Sequence, residues 1–254
     1  MNALTRLTTS AAFGLSLLAS PLAAFDLDSM NSAERDAFGQ AVRAYLLENP
    51  EVIMEAVAVL EQRQAAAEAA RDDALVETYL TELQNDGYSW VGGNPDGDIT
   101  VVEFMDYRCG YCRRAVPEIA KLLEKDGNIR LVVKEFPILG EASMVASRFA
   151  IATKNVAGDD AYKVVHDALL SFSGEPTEVA LRRLADGLDL DGKAILAAMN
   201  APEVTEAITR TRALAQQLSI SGTPSFVVDT ELLRGYLPAD AMLDMVKEIR
   251  AARG

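Results

Sequence analysis

Cysteine and histidine are nearly missing from this chain: 254 residues hold two cysteines, Cys109 and Cys112, and one histidine, His166. A structural zinc site takes about four ligands, and these three residues fall short of one. Positive charge is also scarce. Lys and Arg number 24 against 38 Asp and Glu, for a formal net charge of −14. An acidic chain without basic runs is a poor partner for nucleic acid. Long apolar runs are absent as well: the stretch from Ala11 to Leu18 is too short to span a bilayer comfortably, and no other segment comes closer.

That short run has a different meaning in context. Arg6 precedes it and the small-residue end Pro21-Leu22-Ala23-Ala24 follows, so residues 1–24 read as a secretory signal cleaved after Ala24. The mature chain is then expected to be soluble in an exported, oxidising compartment, the periplasm, where disulfide chemistry can operate. Removing the signal takes away one basic residue and no acidic one, which makes the chain more acidic still. Its apolar content is ample for a core, and the length suits one elaborated domain with an appendage.

What the chain does have is Cys109-Gly110-Tyr111-Cys112, at the junction of two patterns. Ahead of it, Ile99 to Met105 is rich in β-branched and aromatic residues; behind it, Val116, Ile119, Leu122 and Leu123 recur at helical spacing. Cys109 is therefore expected to cap a helix, where unpaired N–H groups and the helix dipole favour a thiolate, the form that attacks disulfides. Half of a zinc site is one competing reading, and only His166 could help to complete it. A purely structural bridge is another, but closing so short a loop restricts the unfolded chain little. A redox-active pair that cycles between dithiol and disulfide fits the strand–CxxC–helix context best.

Taken in order, residues 25–86 form a helical region. Ser32, Glu34 and Asp36 suit a helix start, and Asn49-Pro50-Glu51 stops one helix and begins another. Ile53, Val57 and Leu60 form an apolar stripe, which lapses from Glu61 to Asp73 and revives at Leu75, Tyr79 and Leu83. Such a stripe needs a cover, either a second copy of the chain or the chain's own catalytic domain. Residues 87–98 read as a turn-rich connector opening a catalytic domain over 87–254. Asn128 to Phe136 reads as a second, doubly buried strand parallel to the first. Residues 141–218 are helical, with breaks at Gly158, Ser173-Gly174, Gly187, Gly192 and Pro202. His166 lies inside one of these helices among Val164, Val165, Leu169 and Leu170 and reads as structural. Two short strands, Gly222 to Val228 and Leu232 to Tyr236, and a closing helix from Pro238 complete the chain. Thr223-Pro224 at a strand entrance is either an edge device or a cis bond in a tight turn.

This order is that of a thioredoxin fold, an α/β architecture, with an inserted helical domain and an N-terminal α-helical extension. The segment Phe104 to Cys112 closely resembles the DsbA family of thiol:disulfide oxidoreductases, together with Lys134-Glu135-Phe136-Pro137 and Gly222-Thr223-Pro224. Through Glu48-Asn49-Pro50-Glu51 the N-terminal helices resemble those of ScsC-type proteins linked to copper tolerance. The resemblance implies Cys109 as the exposed nucleophile, Cys112 as its buried partner, and Thr223 and Pro224 as a cis loop beside the sulfurs. It puts Glu103 at a buried-acid position, with Lys134 as the accompanying base. As an ordinary residue Glu103 would face solvent; buried, it needs a partner or water. No cofactor and no metal are implied. The implied partners are reduced or mis-oxidised secreted proteins and a membrane redox partner that resets the pair, with homo-oligomerisation through the N-terminal helices. The Gly-Tyr dipeptide, with Thr before the proline, is similar to the disulfide isomerase DsbC, so isomerase activity is expected; a general dithiol oxidase and a Cu(I)-binding copper-tolerance protein are the alternatives.

Overall fold

The computed structural model describes residues 30–253, and the signal peptide expected over residues 1–24 lies outside the described residues. The chain divides into two compact units, one ending at Glu61 and one beginning at Gln62. The first holds α1 (Ser32–Glu48) and the start of α2 (Glu51–Thr78). Asn31 caps α1: its side chain accepts from Ala33 N and Glu34 N, both at 3.0 Å, while Glu34 accepts from Asn31 N at 2.9 Å. This reciprocal capping satisfies N–H groups that the first turn leaves without partners. None of the residues of α1 is buried.

In the second unit a five-stranded sheet runs in the order β1-β3-β2-β4-β5: β1 (Trp90–Gly93), β2 (Ile99–Met105), β3 (Ile129–Glu135), β4 (Ser225–Val228) and β5 (Glu231–Arg234). β2 and β3 pair in parallel through α4 (Gly110–Asp126), and the other pairings are antiparallel. Every residue of β2 is buried, as expected of a central strand covered on both sides. On one side Val101, Met105, Leu131 and Val133 pack with α4, with α5 (Glu141–Ala157) and α6 (Asp159–Ser171), and with α10 (Ala239–Arg253). On the other side Val102, Phe104, Val132 and Val227 meet Val76 of α2, Leu83 of α3 (Leu80–Gln84) and Leu214 of α9 (Pro202–Gln217). The helical insertion is completed by α7 (Glu178–Asp186) and α8 (Gly192–Ala198).

Two expectations change. The connector over 87–98 contains a strand, β1, which two glycines in four residues disguise. The division between units falls after Glu61 and not at 86–87. Leu75, Tyr79 and Leu83 cover one face of the sheet, and Arg234 of β5 grips Asp72 of α2 through two hydrogen bonds of 2.5 and 2.9 Å. The later half of the helical region is thus part of the catalytic core.

Candidate active site

Cys109 is the N-cap of α4, with extended backbone (φ −75, ψ 118) and its Sγ accepting from Cys112 N at 3.5 Å. The Thr223–Pro224 bond is cis, and the Thr223 carbonyl accepts from Cys109 Sγ at 3.1 Å. Cys112, one turn into the helix, is 1 % exposed; Cys109, expected to be exposed, is itself buried at 6 %, covered by the Thr223–Pro224 loop on which its sulfur rests. Both are free thiols. Burial drives the Cys112 thiol far above its ordinary pKa; a backbone hydrogen bond from Asp106 opposes this, and the charge of Glu103 adds to it. Around the pair the surface is aromatic: Tyr111 is exposed and its ring lies 6.5 Å from that of Tyr236.

Glu103 sits at the centre of β2, on the α4 side of the sheet, 7 % exposed. Its carboxyl has no hydrogen-bond partner among the described residues, and burial pushes its pKa up to about 8, with the charge of Glu135 as a second cause. Lys134 does not accompany it. Glu103 is in register with Val133 and Lys134 with Phe104, so the two side chains leave opposite faces of the sheet. Lys134 instead forms a buried ion pair with Asp86 and donates to Glu82 O at 2.7 Å. The residue that shares the face of Glu103 is Glu135, which accepts from the hydroxyls of Tyr107 (2.6 Å), Tyr162 (2.6 Å) and Ser147 (2.7 Å). Burial raises the pKa of Glu135 to about 7 even against these three donors.

His166 belongs to this network, with Nδ1 2.9 Å from Tyr107 Oη. Burial lowers its pKa to about 4, so it is neutral and structural at ordinary pH. Sequence reasoning missed Asp106. Fully buried, it accepts from the backbone N–H of Arg108 (2.7 Å), Ile138 (2.8 Å) and Leu139 (3.0 Å), tying the loop before the cysteines to the loop after β3. An Asp directly between a strand and a turn is the one signal that could have found it. Arg113 also braces the helix start, donating to Tyr107 O at 3.1 Å and to Phe172 O at 2.8 Å. Among the described residues no group of three or more Cys, His, Asp or Glu is arranged to hold a metal ion.

Comparison with known proteins agrees with this geometry. Residues 100–249, more than half of the chain, match the DSBA-like thioredoxin domain family, and residues 34–67 match the N-terminal domain of copper resistance protein ScsC. A thioredoxin-like oxidoreductase from Silicibacter pomeroyi is 44 % identical; the superposition covers 67 % of this chain and 97 % of that one, with a TM-score of 0.63. BcfH of Salmonella enterica Typhimurium is 30 % identical over 84 % of this chain and 94 % of its own, with a TM-score of 0.69. Among curated proteins, Na(+)/H(+) antiporter NhaA 3 of Salinispora tropica is 32 % identical over 152 residues, 60 % of this chain. The chain spans less than a quarter of the length of the first curated relatives it matches, 23 % in each case. With a helix-capping CxxC, a cis Thr-Pro loop against the first sulfur and a family match over most of the second unit, this chain belongs to the DSBA-like thioredoxin domain family.

Proposed function

We propose that this chain is a thiol:disulfide oxidoreductase of the periplasm that exchanges disulfides with exported proteins through Cys109 and Cys112, working chiefly as an isomerase. The observation that carries the exchange reading is the placement of Cys109 Sγ at a helix N-terminus and 3.1 Å from Thr223 O, with Cys112 beneath it. Cys109 attacks a client disulfide. In isomerisation another client thiol attacks the resulting mixed disulfide and frees the Cys109 thiolate; where none does, Cys112 attacks it in a second step, releasing the client as a dithiol and closing the Cys109–Cys112 bridge. For that second step Cys112 must lose its proton, and Glu103 is the nearby group whose affinity for a proton suits taking and returning one near neutral pH. A membrane redox partner resets the pair. Cys112→Ala is expected to accumulate mixed disulfides with client proteins, seen by non-reducing electrophoresis, and Cys109→Ala is not; the opposite result would reverse the two roles.

The isomerase direction rests on the Gly-Tyr dipeptide, which lacks a histidine to stabilise the thiolate of a strong oxidant, and on Thr before the cis proline. It also rests on the first unit, whose helices expose Leu47 (65 %), Ile53 (51 %), Met54 (69 %) and Leu60 (54 %). This apolar surface is large for a lone helix pair and is covered by a second copy of the chain, which brings catalytic units together around one client. Met54→Glu with Leu60→Glu is expected to yield monomers in sedimentation. Those monomers should still oxidise a reduced protein yet have lost the ability to refold a scrambled one. Unscrambling by the monomers, or rapid oxidation with no unscrambling by the unaltered protein, would overturn the isomerase reading.

A further inference from the structure

Between α4 and α6, over the β1 edge of the sheet, lies a cavity of about 220 Å³. It is separate from the Thr223–Pro224 loop, which enters β4 on the other side of β2. Its walls are apolar: Val116 and Ile119 of α4, Leu131 and Val133 of β3, Leu170 of α6, and Trp90. An apolar cavity of about 150 Å³ already accommodates a benzene ring. Two features bear on what would enter. Lys163 and Asp167, the charged residues of its lining, pair with each other, so they offer no net charge to an ionic ligand. The carboxyl of Glu103 also lines the cavity, more than nine-tenths buried and without a hydrogen-bond partner among the described residues.

We propose that this cavity is a binding site for an uncharged molecule of single-ring size that carries one hydrogen-bond acceptor, its ring against the apolar walls and its acceptor taking a hydrogen bond from the Glu103 carboxyl. The unmet polar group is the reason to expect a ligand. A carboxyl held in an apolar wall keeps its proton, as burial dictates for Glu103, and a neutral carboxyl has an O–H to donate. His166 does not compete for that proton through Nδ1, which is engaged with Tyr107. Binding sites of this kind combine a mostly apolar lining with a few polar groups that fix orientation.

The test uses the full chain and two probes of nearly equal size: acetophenone, which has a carbonyl acceptor, and cumene, in which a methyl group replaces the carbonyl oxygen. Titrations followed by amide NMR are expected to move signals of α4 from Val116 to Leu123 and of α6 from Lys163 to Leu170. Acetophenone should bind about tenfold more tightly than cumene, the preference that one hydrogen bond gives. Glu103→Gln, whose amide still donates, keeps that preference, and Glu103→Leu removes it. Ala120→Trp alters an exposed residue of the lining and threatens the fold least; it is expected to block both probes. Signals that move elsewhere or not at all, or a preference for acetophenone that survives Glu103→Leu, would overturn the proposal. So would unchanged binding to the Ala120→Trp protein.

Discussion

Glu103 and Lys134 lie on adjacent strands, and one residue of register decides what each can do. A β-strand sends alternate side chains to opposite faces, so Lys134, opposite Phe104, points away from the cysteines while Glu103 points toward them. Lys134→Met is therefore expected to leave exchange rates unchanged and to destabilise the fold by about 3 kcal/mol, because Asp86 is left as an unpaired buried charge. Glu103→Gln is expected to do the reverse, slowing exchange at neutral pH by roughly 10²-fold while raising rather than lowering the stability of the reduced protein there, because the amide has no proton to hold against the pH. Stopped-flow exchange with a model disulfide and thermal unfolding separate the two. The cysteines were legible in the residues themselves, through the strand–CxxC–helix pattern, whereas Glu103 and the cis Thr223–Pro224 loop were reached through the family resemblance, because their local sequence reads equally as a solvent-facing strand residue and an edge proline. The partners of Glu103 and Lys134 were not legible. They depend on strand register and on Asp86 and Glu135, acids whose roles emerge only when separate segments meet.

Among the elements, β2, β3, α4 and the helical breaks were legible for simple reasons. Continuous β-branched runs mark doubly buried strands, and glycine or proline marks each end. β1 was hidden because its meaning is tertiary: the Trp90 ring lies over Gly92, where an added Cβ would come within 2.0 Å of it, and the same ring stacks on Tyr162 at 5.6 Å. The stripe of α2 and α3 was visible as a stripe, but its target was not, since nothing local says that the sheet face of Val102, Phe104 and Val132 lacks a cover. That target yields a prediction about where the chain can be cut. A version starting at Gln62 keeps Val76 and Leu83 in the core and is expected to fold with full exchange activity. A version starting at Gly87 loses both and should be destabilised by more than about 4 kcal/mol in urea unfolding, each lost side chain leaving a gap in a packed face.

At the scale of the whole molecule, the buried titratable groups set how stability answers to pH. Glu103 and Glu135 are raised from ordinary carboxyl values to about 8 and about 7, first by burial. Below the unfolded value near 4.5 both states hold these protons. Above it the unfolded chain releases them first, so the stabilisation is lost as pH rises toward 7 and 8. His166 acts in the opposite sense. Its folded pKa, lowered to about 4 by burial, contributes stability that is present above 6.5 and lost as pH falls toward 4. Two acids outweigh one histidine between 4.5 and 6.5, and above 6.5 they act alone. The acid limit is set by carboxylates whose pKa partners depress, such as Asp126 beside Arg250, which lose their stabilising charge below about pH 4. The reduced protein is therefore expected to be most stable near pH 5 and to lose roughly 3 kcal/mol by pH 8, measured by urea unfolding at each pH. Glu103→Gln should remove about half of that loss, since its amide does not titrate. A stability that is flat or rising from pH 5 to pH 8 would mean that Glu103 is ionised in the folded state, and it would then have neither a proton to return to Cys112 nor one to share with a ligand in the cavity beside it.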